Sequence, residues 1–191
     1  MGMSAVARHW TREEVLALPD DGNRYELVDG ELLVSPAPRW RHQRAVGQLF
    51  LWIAQYLEDA HFPGTVLFSP ADLDLDAGHL VQPDLFVVGE KGCAVREWTD
   101  VHIPLLVAEV LSPSTARHDR VTKRRLYQRA GVPTCWIVDL DARLVEVWTP
   151  GADRPVIAED HLTWHPEPAI PPLEIDLPAL FGRIWGDPPR N

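Results

Sequence analysis

The sequence has few cysteines, no long apolar run and no excess of positive charge. Cys93 and Cys135 are the two cysteines among 191 residues, far apart and without CxxC spacing. This excludes a zinc or disulfide framework and favours a reduced compartment. No segment reaches the ~20 apolar residues of a membrane helix, and the N-terminal stretch lacks the apolar centre of a signal peptide. We therefore expect a cytoplasmic protein with no membrane partner.

The formal net charge of −10 is the opposite of the basic footprint that is typical of nucleic-acid-binding proteins. The basic residues are nevertheless clustered. They form two groups, which are Arg39, Arg41, His42 and Arg44, and then Arg117, His118, Arg120, Lys123, Arg124, Arg125 and Arg129. Such clusters are compatible with phosphate binding, although a solvated helix face is their commoner meaning.

The hydrophobic content of 46% is enough for a packed core, and the local patterns alternate between helix and strand. Thr11 and Glu14 form a capping box that predicts a short helix over 11–18, and Asp29-Gly30 predicts the turn of a β-hairpin. Spacing of apolar residues predicts an amphipathic helix over about 40–60 and a second helix over about 119–130. Strands are predicted at 65–76, 79–89, 103–112, 134–140 and 143–150.

These elements predict an α/β (α+β mixed) fold with a central mixed β-sheet flanked by helices. The length favours one domain with terminal extensions. We expect a helical extension over 1–23, the main domain over 24–150, and a proline-rich segment over 151–191 that packs on the same domain as extended chain.

Glu109 is the one carboxylate within the apolar strand LLVAEVLS. An unpaired buried carboxylate is costly, so Glu109 needs a cation, a metal ion or a route to water. Asp84 stands in a similar setting, VQPDLFVV, on an earlier strand. Two carboxylates on neighbouring strands repel one another unless a cation lies between them. A Mg²⁺ site resolves that repulsion, and separate capping or ion-pair roles are the alternative.

Lys123 is a second candidate, because it shares one helix face with Tyr127 and Ala130 at i, i+4, i+7 spacing. That face is the one expected to pack toward the sheet. A snorkelling lysine, or an i, i+4 pair with Asp119, explains the spacing as well. Glu26, in YELVDGEL, is a third acid to weigh, and its place on a hairpin favours an exposed position.

Together these residues resemble the Uma2 family of the PD-(D/E)XK restriction-endonuclease-like superfamily. The similarity runs from about residue 24 to 150. It is carried, in order, by YELVDGEL with Glu26, RHQ with His42, Pro83-Asp84, Glu109 in EVLSPST, Asp119 and Lys123 in DRVTK, Tyr127 with AGV, and WIVD at 136–139.

The resemblance implies a restriction-endonuclease-like core and Mg²⁺- or Mn²⁺-dependent hydrolysis of phosphodiester bonds in nucleic acid, with DNA as the expected partner and a homodimer as the expected assembly. It implies that Asp84 and Glu109 hold the metal, with the Val110 carbonyl as a further ligand. Lys123 would position the attacking water or stabilise charge on the phosphate. Glu26 would be an outer ligand or would orient a second metal or a water. The expected phosphate contacts are Arg39, Arg41, His42, Arg117, Arg120 and Arg124.

One position departs from the pattern of the wider superfamily, which has lysine two residues after the strand acid. Leu111 stands there, and the family resemblance implies that Lys123 of the following helix takes its place. Two other functions stay open. The first alternative is a nuclease-like module that binds nucleic acid or has a regulatory role without catalytic turnover. The second is a structural protein in which Glu109 only forms an ion pair with Lys123. Trp40 and His42 offer rings for base stacking, although packing is the commoner role of such a Trp.

Overall fold

The structure, a computed structural model, describes residues 8–76, 78–89 and 103–187. Cys93 and the outer ends of the predicted N-terminal and C-terminal segments lie outside the described residues. The helices are α1 (Arg12–Leu16), α2 (Trp40–Asp59), α3 (Arg124–Arg129), which continues from a π-helical turn over His118–Lys123, and α4 (Leu177–Trp185). In the part of the chain so described, no helix is both long enough and apolar enough to span a bilayer.

The strands follow the same chain order. They are β1 (Arg24–Val28), β2 (Glu31–Ser35), β3 (Gly64–Phe68), β4 (Leu73–Asp76), β5 (His79–Val81), β6 (Leu85–Gly89), β7 (Leu106–Val110), β8 (Cys135–Asp139), β9 (Leu144–Trp148), β10 (Val156–Ala158), β11 (His161–Trp164) and β12 (Leu173–Asp176).

A six-stranded sheet in the order β10-β9-β8-β7-β6-β3 forms the centre of the fold. Its strands β7 and β8 are parallel, and the other neighbouring pairs are antiparallel. Parallel neighbours need a crossover connection, which the π-helical turn and α3 supply between β7 and β8. The predicted class, a mixed sheet flanked by helices, is confirmed.

The hairpin of β1 and β2 belongs to a second sheet, in the order β2-β1-β5-β4. Its turn is where the sequence predicts it, because Asp29 and Gly30 both have positive φ, at 51° and 78°. This is the backbone that a two-residue type I′ turn requires, and Asp-Gly is among its preferred pairs. The capping box of Thr11 and Glu14 is also present at the start of α1.

Two predicted strands are wrong in extent, because each divides between the two sheets. The 65–76 segment forms β3 in the central sheet and β4 in the hairpin sheet, and the 79–89 segment forms β5 and β6 in the same two sheets. Pro70 and Pro83 lie at the two breaks. Proline has no N–H to offer a strand ladder, so each proline ends pairing and allows the chain to cross to the other sheet.

The predicted helix over 119–130 ends as expected, with Gly131 at a φ of 78°, but its first residues form a π-helical turn. The prediction that the proline-rich C-terminal segment is extended chain is wrong. It forms β10, β11, β12 and α4, and α4 packs on α2. Short alternating apolar pairs such as Leu162 and Trp164 build these strands between the prolines, and both side chains are buried.

The position of β7 determines what surrounds Glu109. Leu106, Ala108 and Val110 alternate along the strand into the core beneath α2 and α4. Val107 belongs to the second core cluster, formed with α3 and the hairpin sheet. Alternation places Glu109 on the same side as Val107, so its carboxylate lies between the central sheet, the hairpin sheet and the crossover helix.

Candidate active site

Lys123 and two carboxylates form a buried ion-pair group between the two sheets. The Nζ atom of Lys123 lies 2.7 Å from Glu109 Oε1 and 2.8 Å from Glu26 Oε1. The whole residue is 1% exposed. The exposed position that the hairpin pattern favours for Glu26 is wrong, because the residue is buried at 3% exposure under the crossover helix.

The crossover helix presents two side chains to Glu109. The hydroxyl of Tyr127 donates a hydrogen bond to Glu109 Oε1 at 2.5 Å, and Lys123, one turn earlier, contacts the same oxygen. Asp119 Oδ1 lies 3.9 Å from Lys123 Nζ, at the i, i+4 distance along the π-helical turn. The i, i+4 pair with Asp119 and the approach to the strand acids, which are alternatives in the sequence, are therefore both present.

Asp84 is held by partners from three other elements. Its Oδ1 accepts a hydrogen bond from Arg24 at 3.0 Å, its Oδ2 lies 3.0 Å from His42 Nε2, and that same oxygen accepts from the Val110 N–H at 2.8 Å. Because the N–H and C=O of one strand residue point to the same side, the Val110 carbonyl lies on the Asp84 side of β7. The Val110 carbonyl, expected as a ligand, is thus on the side of the strand that faces Asp84.

Burial and charge shift these groups in opposite directions. Burial raises the pKa of Glu109 to about 8 against the opposing charge of Lys123, and burial raises the pKa of Asp119 to about 6. Burial opposes ionisation of Asp84 too, but the hydrogen bond and charge of His42, together with Arg24, outweigh it and lower the Asp84 pKa to about 2. Asp84 is therefore ionised at neutral pH, whereas Glu109 is mostly protonated.

The ammonium of Lys123 stays charged. Burial disfavours the charge, but Glu109, Glu26 and Asp119 outweigh burial and raise the Lys123 pKa above its ordinary value. Burial, followed by the charges of Glu109 and Glu26, also raises the pKa of Tyr127 well above its usual value, so its hydroxyl remains a donor.

A cavity of about 380 Å³ opens onto this group. Its lining includes all four buried carboxylates of the region, which are Glu26, Asp84, Glu109 and Asp119. Two side chains that stay positively charged contact these carboxylates, Arg24 and Lys123. With all four carboxyl groups ionised and His42 neutral, these carboxylates exceed the two cations by two negative charges, and one divalent cation would balance that excess.

The donor chemistry fits a hard divalent cation such as Mg²⁺, which takes one or two carboxylates together with water molecules. Among residues 8–76, 78–89 and 103–187, no three His, Cys, Asp or Glu side chains are grouped as a ready-made metal site. Asp84 and Glu109 are engaged by protein cations, so binding a metal between them requires these contacts to loosen. The fit therefore rests on the charge excess and on the oxygen donors.

The residues expected to contact phosphate differ in their exposure and in their protein partners. Arg39, Arg41 and Arg117 are exposed, and Arg39 lines the carboxylate cavity. Arg120 binds Asp139 and Glu146, while Arg124 lies over the ring of Trp148. His42 lies at the cavity wall, buried against Asp84 rather than on the outer surface.

Arg24 is the site residue that sequence reasoning misses. It stands beside Tyr25 and Glu26 on β1, and its guanidinium reaches Asp84 and the Gln82 carbonyl across the two sheets. A cation two residues before a buried strand acid is the one signal in the sequence, and it is weak. The contact depends on how the hairpin sheet packs on the central sheet, which local pattern does not encode.

Comparisons with known proteins agree on the type of fold. The sequence profile of the Uma2 family, described as "Putative restriction endonuclease", matches residues 12–178. The crystal structure of "a putative nuclease belonging to DUF820" from Anabaena variabilis is similar, with a TM-score of 0.74, 18% sequence identity and coverage of 91% of this chain and 98% of that chain. At that identity the likeness shows the fold alone, which is restriction-endonuclease-like. No curated protein matches this chain.

Proposed function

The chain belongs to the Uma2 family of restriction-endonuclease-like proteins, and from this premise we propose that it hydrolyses phosphodiester bonds of nucleic acid, with DNA as substrate and Mg²⁺ or Mn²⁺ as cofactor. The observation that carries the proposal is the contact between the buried ammonium of Lys123 and Glu109, which lines the same cavity as Asp84. Buried charge at this density is unusual in a core and is typical of functional sites.

In this proposal Asp84 and Glu109 hold the metal ion, with the Val110 carbonyl as a third oxygen donor. The bound metal supplies Lewis acidity toward the phosphate and lowers the pKa of a coordinated water. Arg24 and His42 orient the Asp84 carboxylate, because each binds one of its two oxygens. That arrangement leaves Asp84 ionised and fixed in one rotamer, which favours a well-defined ligand geometry.

Lys123 has the role that a strand lysine has in the wider superfamily. Its ammonium is charged at any physiological pH, so it donates hydrogen bonds to an attacking water or to the oxygens of the scissile phosphate. Glu26 holds Lys123 from the far side, at 2.8 Å, and thereby aims the ammonium toward Glu109. The acidic cavity repels a phosphate until a divalent cation balances its charge, so the proposal predicts that substrate and metal bind together.

Plasmid cleavage tests this function. Purified protein is incubated with supercoiled plasmid and Mg²⁺ or Mn²⁺, beside an Asp84→Asn variant and an Asp59→Asn control. Asp59 is the exposed last residue of α2, and the side-chain contact described for it is a hydrogen bond that it accepts from Gln55. We expect at least about a hundredfold slower cleavage by Asp84→Asn, which loses a metal ligand, and no change in Asp59→Asn. Equal rates for wild type and Asp84→Asn would contradict the proposal.

One observation favours a second function, a nucleic-acid-binding module without turnover. Both oxygens of Asp84 and one oxygen of Glu109 already bind protein donors, so the carboxylates are satisfied without a metal ion. Such a module would bind DNA in a salt-dependent way and leave it intact with every divalent cation. The same incubations, analysed by gel shift as well as by cleavage, distinguish the two functions.

Two further expectations belong to this proposal and stay predictions. A homodimer would allow two sites to cut opposite strands, and sedimentation equilibrium of the purified protein tests it. Cytoplasmic location, expected from the sequence, is tested by fractionation of the producing cells.

A further inference from the structure

The carboxylate cavity adjoins a second pocket, of about 650 Å³. The two share a wall, formed by Arg39, His42, Ser112 and Pro113. Its volume is within the range of about 300–1,000 Å³ that is typical of small-ligand sites. This shared wall makes the pocket the nearest described space for a nucleotide next to a phosphate held in the carboxylate cavity. We name this second space the aromatic pocket.

The aromatic pocket differs in lining from the carboxylate cavity. Trp40, the first residue of α2, lines it and is 75% exposed, and Trp185 of α4 forms another part of the wall. Arg41 lies over the Trp185 ring, with its guanidinium carbon 3.9 Å from the ring centre. A large exposed indole beside a built concave pocket is typical of a binding surface rather than of packing.

Charge at the pocket suits a nucleotide. Arg39 and Arg41 are exposed cations on its wall, whereas Arg120 is already paired with Asp139. Asp141 is exposed on the same wall and brings a carboxylate. Cations attract the phosphates on either side of a base, and a carboxylate accepts hydrogen bonds from an exocyclic amine or ring N–H of a base.

We propose that the aromatic pocket binds one unstacked nucleobase of the strand whose phosphate lies in the carboxylate cavity, with the base stacked on Trp40. A base inside a duplex is stacked on both faces, so the pocket takes a base from a single-stranded or unpaired region. The inference rests on the proposed function and adds a substrate class to it, a strand with an unpaired nucleotide beside the scissile phosphate.

Binding is measured apart from cleavage, in the Asp84→Asn background, by fluorescence anisotropy of short labelled oligonucleotides. The probes are a single-stranded DNA, an RNA of the same sequence, a blunt DNA duplex, and the single-stranded DNA with all bases of its central part replaced by abasic sites. The variants add Trp40→Ala, Trp40→Phe or the control Leu51→Ala. Leu51 is a second large exposed apolar residue of α2, 58% exposed, and lines neither cavity.

Trp40→Ala is expected to weaken binding of the single strand about tenfold, as loss of one stacked base does. Trp40→Phe keeps a ring and recovers most of that loss. The duplex, the abasic strand and Leu51→Ala are expected to show less than about a twofold change, because none of them involves base stacking on Trp40. The RNA single strand is expected to lose affinity for Trp40→Ala by a similar factor, because stacking involves the base and not the sugar.

An equal loss on single strand and abasic strand, or an equal loss from Trp40→Ala and Leu51→Ala, would overturn the pocket assignment. It would leave the proposed nuclease function standing if plasmid is cleaved. Conversely, a selective loss of single-strand binding by Trp40→Ala with no cleavage by the wild type would support the pocket and remove the nuclease function. The two failures are therefore distinguishable.

Discussion

Arg120 and Lys123 lie within one π-helical turn. Arg120 pairs with two carboxylates and Lys123 with three, yet the two ion-pair groups differ most in their burial. Arg120 contacts Asp139 and Glu146 with a side chain that is 37% exposed. Lys123 contacts Glu109 and Glu26 with a side chain that is 2% exposed. Solvent screens the exposed Arg120 group, whereas burial leaves the charges of the Lys123 group much less screened. The Arg120 contacts therefore contribute little to stability, and the Lys123 contacts are strongly coupled.

The comparison shows what kind of ion pair can do chemistry. A solvent-screened ion pair can be replaced at little cost, whereas the charges of a buried ion pair interact strongly with each other and with any metal ion or substrate that binds beside them. The Lys123 group also carries more carboxylates than cations, while the Arg120 group is open to solvent ions. The predictions below alter one group and use the other as its control.

The largest expected effect is on stability when a cation is removed. Lys123→Met leaves buried carboxylates unpaired and is expected to lower the free energy of unfolding by about 3–5 kcal/mol. Arg120→Met is expected to lower it by only about 0–1 kcal/mol. Urea denaturation followed by circular dichroism measures both. Adding Glu109→Gln to Lys123→Met should restore part of the loss, and equal losses in the two single variants would contradict the comparison.

The second prediction concerns pH in metal-free buffer with EDTA. The folded pKa of Glu109, about 8, lies above its unfolded value of about 4.3. The folded state therefore keeps a proton that the unfolded state has lost, and this contribution to stability is lost as the pH rises through 8. We expect the free energy of unfolding to fall by about 1 kcal/mol per pH unit between about pH 6 and 8, and Glu109→Gln to remove that slope.

The Arg120 group should show the opposite sign. Burial raises the pKa of Asp139, but the Ala142 N–H and Arg120 outweigh burial and lower it below the ordinary value. Its contribution is thus present above the unfolded pKa of about 3.9 and is lost as the pH falls below it. The free energy of unfolding of Asp139→Asn and of the wild type is measured between about pH 3 and 5, and the variant is expected to depend less on pH. Equal pH dependence in the two proteins would refute the prediction.

The third prediction separates metal binding from ion pairing. Glu109→Gln should weaken Mn²⁺ binding, measured by isothermal titration calorimetry, by at least about tenfold. Glu146→Gln makes the same chemical change in the Arg120 group, where Glu146 accepts from Arg120 at 2.7 Å, and should leave Mn²⁺ affinity unchanged. If Glu109 serves only as the partner of Lys123, both variants will bind Mn²⁺ as the wild type does.

The smallest effect is expected from one hydroxyl. Tyr127→Phe removes the hydrogen bond to Glu109 and should lower the free energy of unfolding by about 1 kcal/mol. Tyr25→Phe removes an exposed hydrogen bond of 2.8 Å to Asp21 and should lower the free energy of unfolding by less than Tyr127→Phe does, because water replaces the lost partner. Thermal or urea denaturation compares them. A larger loss from Tyr25→Phe would show that burial does not decide the strength of these bonds.

The sequence predicts the part of the site that local periodicity controls. Glu109 is found because a lone carboxylate interrupts an apolar strand, and Lys123 because it shares a helix face with Tyr127. Both positions follow from spacing within one element. Their contact also needs a crossover that lays the helix beside its own strand, and such connections are short and regular.

The remaining residues depend on how distant elements pack, and local pattern does not determine that. Glu26 is predicted to be exposed because the sequence around it does not indicate that the hairpin sheet packs against Lys123. Arg24 is missed, and His42 is assigned to a basic phosphate-binding cluster, for the same reason. Trp185 is overlooked because the prolines of the C-terminal segment hide the helix that carries it. These contacts join residues far apart in the chain, and each becomes visible only once the sheets are assembled.

The π-helical turn over His118–Lys123 has a consequence for recognising relatives. A π-helical turn holds more residues than an α-helical turn, and each residue rotates a helix by about 100°. Deleting one residue there would keep the helix but turn Asp119 and the preceding segment away from Lys123 and Tyr127. A relative must therefore preserve the angle at which the lysine projects from the helix axis, rather than the number of residues between the lysine and the strand glutamate. A search with a fixed-length motif will overlook homologues whose loops differ in length but whose lysine keeps the same angle.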